Sequence, residues 1–275
     1  MTRIRLLAFD IDGTLSLPGD PVPEAVLGSL RQCVTAGILL IPATGKKHSS
    51  IRSLCRDIGL TGVAVTCNGA LTVDANTGRV QDACYLGRAG YKQTLRRLED
   101  DKRFSLAVFT DQDIVCTSRT FASEALHAIG EPTSRFVTSF HELDGAKVAK
   151  VLAASPREGD LYAGLADYAP QLSGVSSVTV TSRQFLEFMA PNVSKGTAVA
   201  EIARCHSVKR AEIACIGDSD NDLSLFEVSG MGFAVANATP SVLAAARTIV
   251  PSAGEAGVAH AIQEYILGEQ HGPKR

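Results

Sequence analysis

The sequence predicts an α/β protein in which a parallel sheet flanked by helices is interrupted by an inserted α+β segment. Three observations predict this. Near the N-terminus an apolar strand, a helical pattern and a second apolar strand follow one another with no hairpin signal, which is the pattern of a parallel crossover unit. The same alternation resumes from about residue 189. Between about 82 and 188 the texture changes to short strands and helices that lack that rhythm. The expected division is a core of residues 1–81 and 189–275, with residues 82–188 as the insert.

The elements follow in order. Leu6-Leu7-Ala8-Phe9 is an apolar strand that runs into Asp10-Ile11-Asp12-Gly13-Thr14. A proline-bearing loop, 16–23, leads to a helix opened at Pro23-Glu24, with Val26, Leu27, Leu30 and Val34 at helical spacing. Gly37 stops it, and Ile38 to Ala43 reads as a buried strand ending at Thr44-Gly45, with a helix from Ser49 to Ile58 beyond. Val63 to Thr66 is a third strand, and Asn68-Gly69 with Asn76-Thr77-Gly78 suggests turns and a hairpin. In the insert, Ala89 to Asp100 and Thr120 to Ile129 read as helices, and Ser105 to Phe109 and Val175 to Thr181 as strands. Gly145 to Lys150 also shows a helical pattern and Val148 to Ala153 a strand, and between Lys147 and Ala153 helix and strand both fit. Arg183 to Met189 leads back towards the core. A helix from Thr197 to Cys205, a strand from Glu212 to Ile216, a helix from Leu223 to Val228, a strand at 232–237, a helix at 241–247, a short strand at 248–250 and a closing helix from Gly257 to Leu267 complete the chain. His271 to Arg275 reads as a frayed tail.

Bulk properties narrow the function. At 275 residues the chain suits one large domain or two modest ones. It is 45% hydrophobic and 20% charged with a net charge of −2, which is ordinary for a soluble globular protein and gives no nucleic-acid footprint. No run of ~18 apolar residues offers a membrane span, and the N-terminus shows no signal-peptide layout, so the cytosol is the expected location. The 7 cysteines are scattered with no Cys-x-x-Cys, which reads as reduced thiols serving as small hydrophobes.

The chemistry concentrates at strand ends. Asp10 and Asp12 stand one residue apart where an apolar run stops, and side chains at i and i+2 of a strand share a face. Two converging carboxylates favour a hard divalent cation such as Mg²⁺. In open α/β sheets the ligand crevice lies outside the carboxyl ends of the strands. A hydroxyl and a glycine amide at Thr44-Gly45 could hold a phosphate oxygen there, with the N-terminus of the following helix adding to the site. Ser194-Lys195-Gly196 places a lysine at a helix mouth, where an anion is favoured; held against Asp10 and a phosphate, it makes sense. Gly217-Asp218-Ser219-Asp220-Asn221-Asp222 puts three carboxylates and one amide within five residues of a strand end. An EF-hand loop would need glycine at its sixth position and glutamate at its twelfth, where this chain has Leu223 and Ser229.

Taken together, these four stretches resemble the motifs of the haloacid dehalogenase superfamily, and in detail its Cof-type sugar-phosphate phosphatases with a type IIB cap. Asp10-Ile11-Asp12-Gly13-Thr14 is similar to the first motif, Thr44-Gly45 to the second, Ser194-Lys195-Gly196 to the third and Gly217 to Asp222 to the fourth. Lys46 stands where the family usually has arginine, and Asn192 where glycine is common. Asn68-Gly69 resembles the position where the chain leaves the core near the substrate, and a plain turn fits it equally.

The resemblance implies a Rossmann-like core, a cap formed by the insert, and Mg²⁺-dependent hydrolysis of a small phosphorylated metabolite through an aspartyl-phosphate. It implies Asp10 as nucleophile and Asp12 as general acid and base. Lys195 would neutralise charge, and Thr44, Gly45 and Asn221 would hold the phosphate. Asp10, the Asp12 carbonyl and Asp218 would bind the metal, with Asp222 either a ligand or a support for one. Asp111, Asp113 and Arg119 are candidates for substrate contact, although a solvated surface explains them better. A phosphosugar mutase or transferase on the same scaffold, a phospho-acceptor switch and a non-catalytic phosphometabolite binder are the alternatives. The substrate and the oligomeric state are not legible.

Overall fold

The computed structural model describes residues 3–17 and 19–268; Met1, Thr2, Pro18 and the expected frayed tail, 271–275, lie outside them. Strand β1 (Leu6–Phe9) is wholly buried. It is followed by helix α1 (Glu24–Thr35), β2 (Leu39–Pro42) and α2 (His48–Asp57). A hairpin sheet comes next, β3 (Val63–Thr66), β4 (Leu71–Asp74) and β5 (Val80–Ala83), antiparallel throughout and joined to the strand β2 side by a single bridge between Ala43 and Val65.

The insert begins with α3 (Arg88–Leu98) and carries β6 (Ser105–Thr110), β7 (Ile114–Cys116), α4 (Phe121–Ala128), β8 (Arg135–Phe136), β9 (Val148–Ala154), α5 (Glu158–Gln171), β10 (Ser177–Ser182) and β11 (Phe185–Met189). Its six strands form one sheet in the order β10-β11-β9-β6-β7-β8. The stretch that fits helix and strand alike in sequence is β9, every residue of which is buried; a short continuous apolar run has no readable period. The return segment from Arg183 is not a connector but contains β11, paired antiparallel with both β9 and β10. Helix α5 has no counterpart in the sequence reading. Its sequence mixes Gly159, Gly164 and Pro170 among apolar residues spread around the helix, and only Leu161, Gly164 and Tyr168 are buried.

The chain then re-enters the first sheet through α6 (Lys195–Cys205), β12 (Ile213–Gly217), α7 (Leu223–Val228), β13 (Met231–Val235), α8 (Pro240–Ala245), β14 (Thr248–Val250) and α9 (Gly257–Ala261), which continues as a π-turn to Leu267. The sheet order is β14-β13-β12-β1-β2, and all four pairings are parallel. β1 thus lies between β2 and β12, so the carboxyl ends of three adjacent strands open side by side. Two residues after each of these strands, or fewer, stands one of the motifs: Asp10 after Phe9, Thr44 after Pro42 and Asp218 after Gly217.

Candidate active site

The carboxylates of Asp10, Asp218 and Asp222 each offer an oxygen within 4.8 Å of the others. Lys195 projects into them from the first turn of α6, its ammonium donating to Asp10 Oδ1 and Asp222 Oδ1 at 2.6 Å each. A capping box between Ser194 and Thr197 fixes that turn, the Ser194 hydroxyl accepting from the Thr197 amide at 3.1 Å. Thr14 donates to Asp218 Oδ1 at 2.6 Å and Ser219 to Asp218 Oδ2 at 2.9 Å. Asp222 Oδ2 accepts the backbone amides of Asp218 and Ser219 at 3.0 and 3.1 Å. Among the described residues, Asp10 Oδ2 is therefore the one oxygen of the three carboxylates that receives no hydrogen bond.

Burial makes the cluster electrostatically costly. Desolvation raises Asp10 well above its ordinary value, with Lys195 opposing and Asp222 and Asp218 adding to the rise. Asp218 is pushed up to about 6 by burial and then by Asp222, with the hydroxyls of Thr14 and Ser219 opposing. For Lys195 burial alone would lower the pKa, but the charges of Asp10 and Asp222 outweigh it and hold the ammonium protonated. Three carboxylates face one ammonium, all with hard oxygen donors, which is the donor set of a divalent cation such as Mg²⁺.

Asp12 lies elsewhere. The strand ends at Phe9, so the alternation that would have aimed Asp10 and Asp12 together has already stopped. The Asp12 carboxylate is 41% exposed and pairs with Lys46 Nζ at 2.7 Å, outside the cluster. Thr44 is buried, and its hydroxyl accepts from the Lys46 amide at 3.2 Å. Asn221 donates through Nδ2 to Asn68 Oδ1 at 2.9 Å, while its own Oδ1 is buried without a partner among the described residues.

A family profile described as haloacid dehalogenase-like hydrolase matches residues 7–262. The chain belongs to that family. A phosphatase of Bacillus subtilis (strain 168), YwpJ, is 26% identical over 290 residues, covering 96% of this chain and 100% of its own. A haloacid dehalogenase-like hydrolase structure from B. subtilis superposes with a TM-score of 0.85 at 24% identity, covering 95% of this chain and 100% of the other. The structure of the HAD subclass IIB sugar phosphatase BT4131 superposes with a TM-score of 0.83 at 21% identity, covering 95% and 98%. As a member of the Cof-type branch of this hydrolase family, the protein is an enzyme with a Rossmann-like core and an inserted α+β cap.

Two departures from the family pattern have structural readings. Asn192 has φ of +63°, a left-handed conformation that glycine adopts freely and asparagine tolerates. Lys46 uses its single ammonium on Asp12, where an arginine would offer a fork.

Several residues at the site escape sequence reasoning. The N-terminus of α2, expected to face a phosphate, instead receives the carboxylate of Glu131 from the cap, which accepts the Lys47 amide at 3.1 and 3.2 Å. Glu131 is buried, and desolvation raises its pKa. The Lys47 ammonium donates to the Thr110 carbonyl at 2.9 Å. Lys150 on β9 and Glu187 on β11 form an ion pair at 2.7 Å with side chains 2% and 3% exposed, in a segment whose sequence shows no paired acids or phosphate loop. Glu187 also accepts from Asn68 Nδ2 at 2.6 Å, and Lys150 donates to the Gly45 carbonyl at 2.8 Å. Asn68-Gly69 is thus more than a turn: Asn68 is buried, has φ of +56°, and touches both cap and core. A charged residue alternating with apolar ones on a strand is the available signal in Val148-Ala149-Lys150-Val151 and Phe185-Leu186-Glu187-Phe188. Nothing local to either segment names its partner. Of the other cap candidates, Asp111 lies 3.8 Å from Lys147 and Asp113 accepts from Ser134 at 3.1 Å, both pairings within the cap. Cys84 and Cys205 are exposed, unlike the other five cysteines.

Proposed function

We propose that this enzyme is a Mg²⁺-dependent phosphatase of small phosphorylated metabolites, sugar phosphates foremost, working through an aspartyl-phosphate on Asp10. The observation that carries the reading is Asp10 itself: Lys195 holds one of its oxygens and the other receives no hydrogen bond among the described residues, a carboxylate braced on one side and free on the other to attack. Asp10 Oδ2 forms a bond to phosphorus, and the ester P–O bond breaks. Asp12, more exposed than Asp10 and outside the buried cluster, gives its proton to the departing alkoxide. It then takes a proton from the water that attacks the acyl-phosphate, which regenerates Asp10 and releases inorganic phosphate. Lys195, Thr44, the Gly45 amide and Asn221 hold the phosphoryl oxygens. Asp10, Asp218 and the Asp12 carbonyl would hold Mg²⁺, which supplies charge neutralisation for the phosphoryl group when bound. Asp222, with both oxygens taken by Lys195 and two amides, supports the other two carboxylates.

Residues 1–81 and 189–275 carry this chemistry in our reading, and residues 82–188 shape the side on which the leaving group sits; the cytosol is the expected setting. The sugar-phosphate preference rests on the likeness to the sugar phosphatase BT4131. Phosphate release from a panel of phosphorylated metabolites tests it. Release should need Mg²⁺, stop with EDTA, and fall about 10⁴-fold or more in Asp10→Asn, the scale on which nucleophile removal acts. Turnover surviving in that variant would remove Asp10 as nucleophile. Transfer to a second sugar without net phosphate release would convert the reading to a phosphotransferase, and isomerisation that needs a sugar bisphosphate activator to a mutase.

A further inference from the structure

We propose that Glu187 and Lys150, two side chains of the cap sheet, are positioning residues for the phosphate side of the active site, acting through Asn68 to set which end of the Asn221 amide faces the phosphate. The inference rests on the phosphate-binding role given above to Asn221 and the Thr44-Gly45 turn.

An ammonium only donates and a carboxylate only accepts. Lys150 donates to Glu187 Oε1 and to the Gly45 carbonyl, and Glu187 Oε2 is 2.6 Å from the Asn68 amide. A carboxylate there obliges Asn68 to turn its Nδ2 towards the cap. Its Oδ1 is then left to accept, so Asn221 must present Nδ2 to it, at 2.9 Å. Each step removes a choice: the charge on Glu187 dictates an amide orientation two residues away in the core.

That orientation has a location. Asn68 lies against Gly45, where a Cβ built on the glycine would come within 3.2 Å of Asn68 Nδ2 and 3.4 Å of its Oδ1. The Asn68 backbone amide also donates to the Thr44 carbonyl at 2.9 Å. The donor end of Asn221 is thereby held on the side of the Thr44-Gly45 turn, where a second N–H of Nδ2 is left for a phosphate oxygen. The opposite end, Oδ1, is buried with no partner among the described residues. A free choice of flip would not leave it so, since an unpaired buried acceptor is unfavourable; the cap-borne carboxylate imposes it. The network also explains why a buried charge pair stands on the cap sheet beside the Thr44-Gly45 turn: it ties Gly45 and Asn221, which follow two different strands of the core, to one ion pair between β9 and β11.

The test exploits the polarity of the relay. In Glu187→Gln, the ammonium of Lys150 claims the new side-chain carbonyl, so the introduced NH₂ faces Asn68. Asn68 then inverts, and Asn221 inverts after it, putting a carbonyl oxygen beside the phosphate. Adding Asn68→Asp restores the arrangement, because a carboxylate at position 68 accepts both from the introduced amide and from Asn221, and aspartate tolerates the left-handed backbone at this position. The probe is inorganic phosphate with Mg²⁺, its affinity measured by calorimetry and as a competitive inhibitor, alongside kcat and KM. E187Q should weaken phosphate binding about tenfold, the order expected when one hydrogen bond to a charged group is lost, and N68D/E187Q should regain most of that loss. A merely structural pair would show the reverse, because a second buried substitution adds damage. Unchanged phosphate affinity in E187Q, or a double variant weaker than E187Q, overturns the proposal. Should E187Q not fold, N68D against N68D/E187Q carries the same test. The carboxylate introduced at position 68 faces another carboxylate in the first and an amide in the second, and only the second should bind phosphate near the wild-type level. Wild-type protein that binds no phosphate under these conditions would instead overturn the phosphatase reading, and the relay with it.

Discussion

Gly13 holds φ of +83°, and a Cβ there would stand 2.5 Å from Asp218 Oδ2. Two demands therefore meet at one residue: a left-handed turn that lets the chain leave β1 just past Asp10, and room for the carboxylate that shares Asp10's site. Gly13→Ala should cost about 1–2 kcal/mol of fold stability through backbone strain alone. It should also displace Asp218 from Thr14 and weaken divalent-cation binding. Denaturation and cation titration separate the two effects. An alanine variant that loses stability but binds the cation as before would show that Asp218 moves without consequence. The neighbouring Asp10 is legible in the sequence because a carboxylate ending an apolar strand is a local pattern. The separation of Asp12 from the cluster is not legible, because it depends on where β1 stops and on Lys46, both settled by packing.

Helix α6 shows how an element serves a side chain. Lys195 occupies its first turn, the electrostatically unfavourable end for a cation, and is held there by Asp10 and Asp222 on other elements. The Ser194 cap is what fixes that turn. Ser194→Ala should destabilise the protein by about 1 kcal/mol, the usual loss for an N-cap hydroxyl. It should also lower kcat more than it raises KM if, as proposed, Lys195 bears on the reacting oxygens rather than on the leaving group. A variant with the stability loss and unaltered kcat would place all of Lys195's positioning in the ion pairs. The four core motifs can be read because each couples a strand end to a turn within a few residues. Helix α5, the choice between helix and strand at the start of β9, the strand identity of β11, and the capture of the α2 N-terminus by Glu131 cannot, because their determinants are contacts across tens of residues. Lys150 and Glu187 are 37 residues apart, and neither has a reason to be buried until the cap sheet is assembled.

At the scale of the whole molecule, the central sheet gathers three carboxylates and a single compensating ammonium into a buried volume, and the cost of that assembly depends on pH and on a cation. Asp218 stands at about 6 in the cation-free fold against an ordinary value of 3.8. A folded-state pKa raised above the unfolded one means that the proton is bound more tightly by the fold. The stability that Asp218 contributes is thus fully present below about pH 4 and is lost as pH rises through about 6. Asp10 shifts in the same direction from the same burial. A divalent cation competes with those protons, so its affinity should climb as pH rises through about 6, and its binding should restore what deprotonation removed. With Mg²⁺ about 100-fold above its Kd the gain is about 2.7 kcal/mol. A thermal-melt series should therefore show a small Mg²⁺-induced rise in Tm near about pH 5 and a clearly larger one near about pH 7.5. Asp218→Asn removes one of the competing sites, so it should flatten the pH dependence and make the cation-free protein more stable at neutral pH while weakening Mg²⁺ binding. An equal Mg²⁺ effect at both pH values in the wild-type protein would mean that the cation does not bind where Asp10 and Asp218 lie.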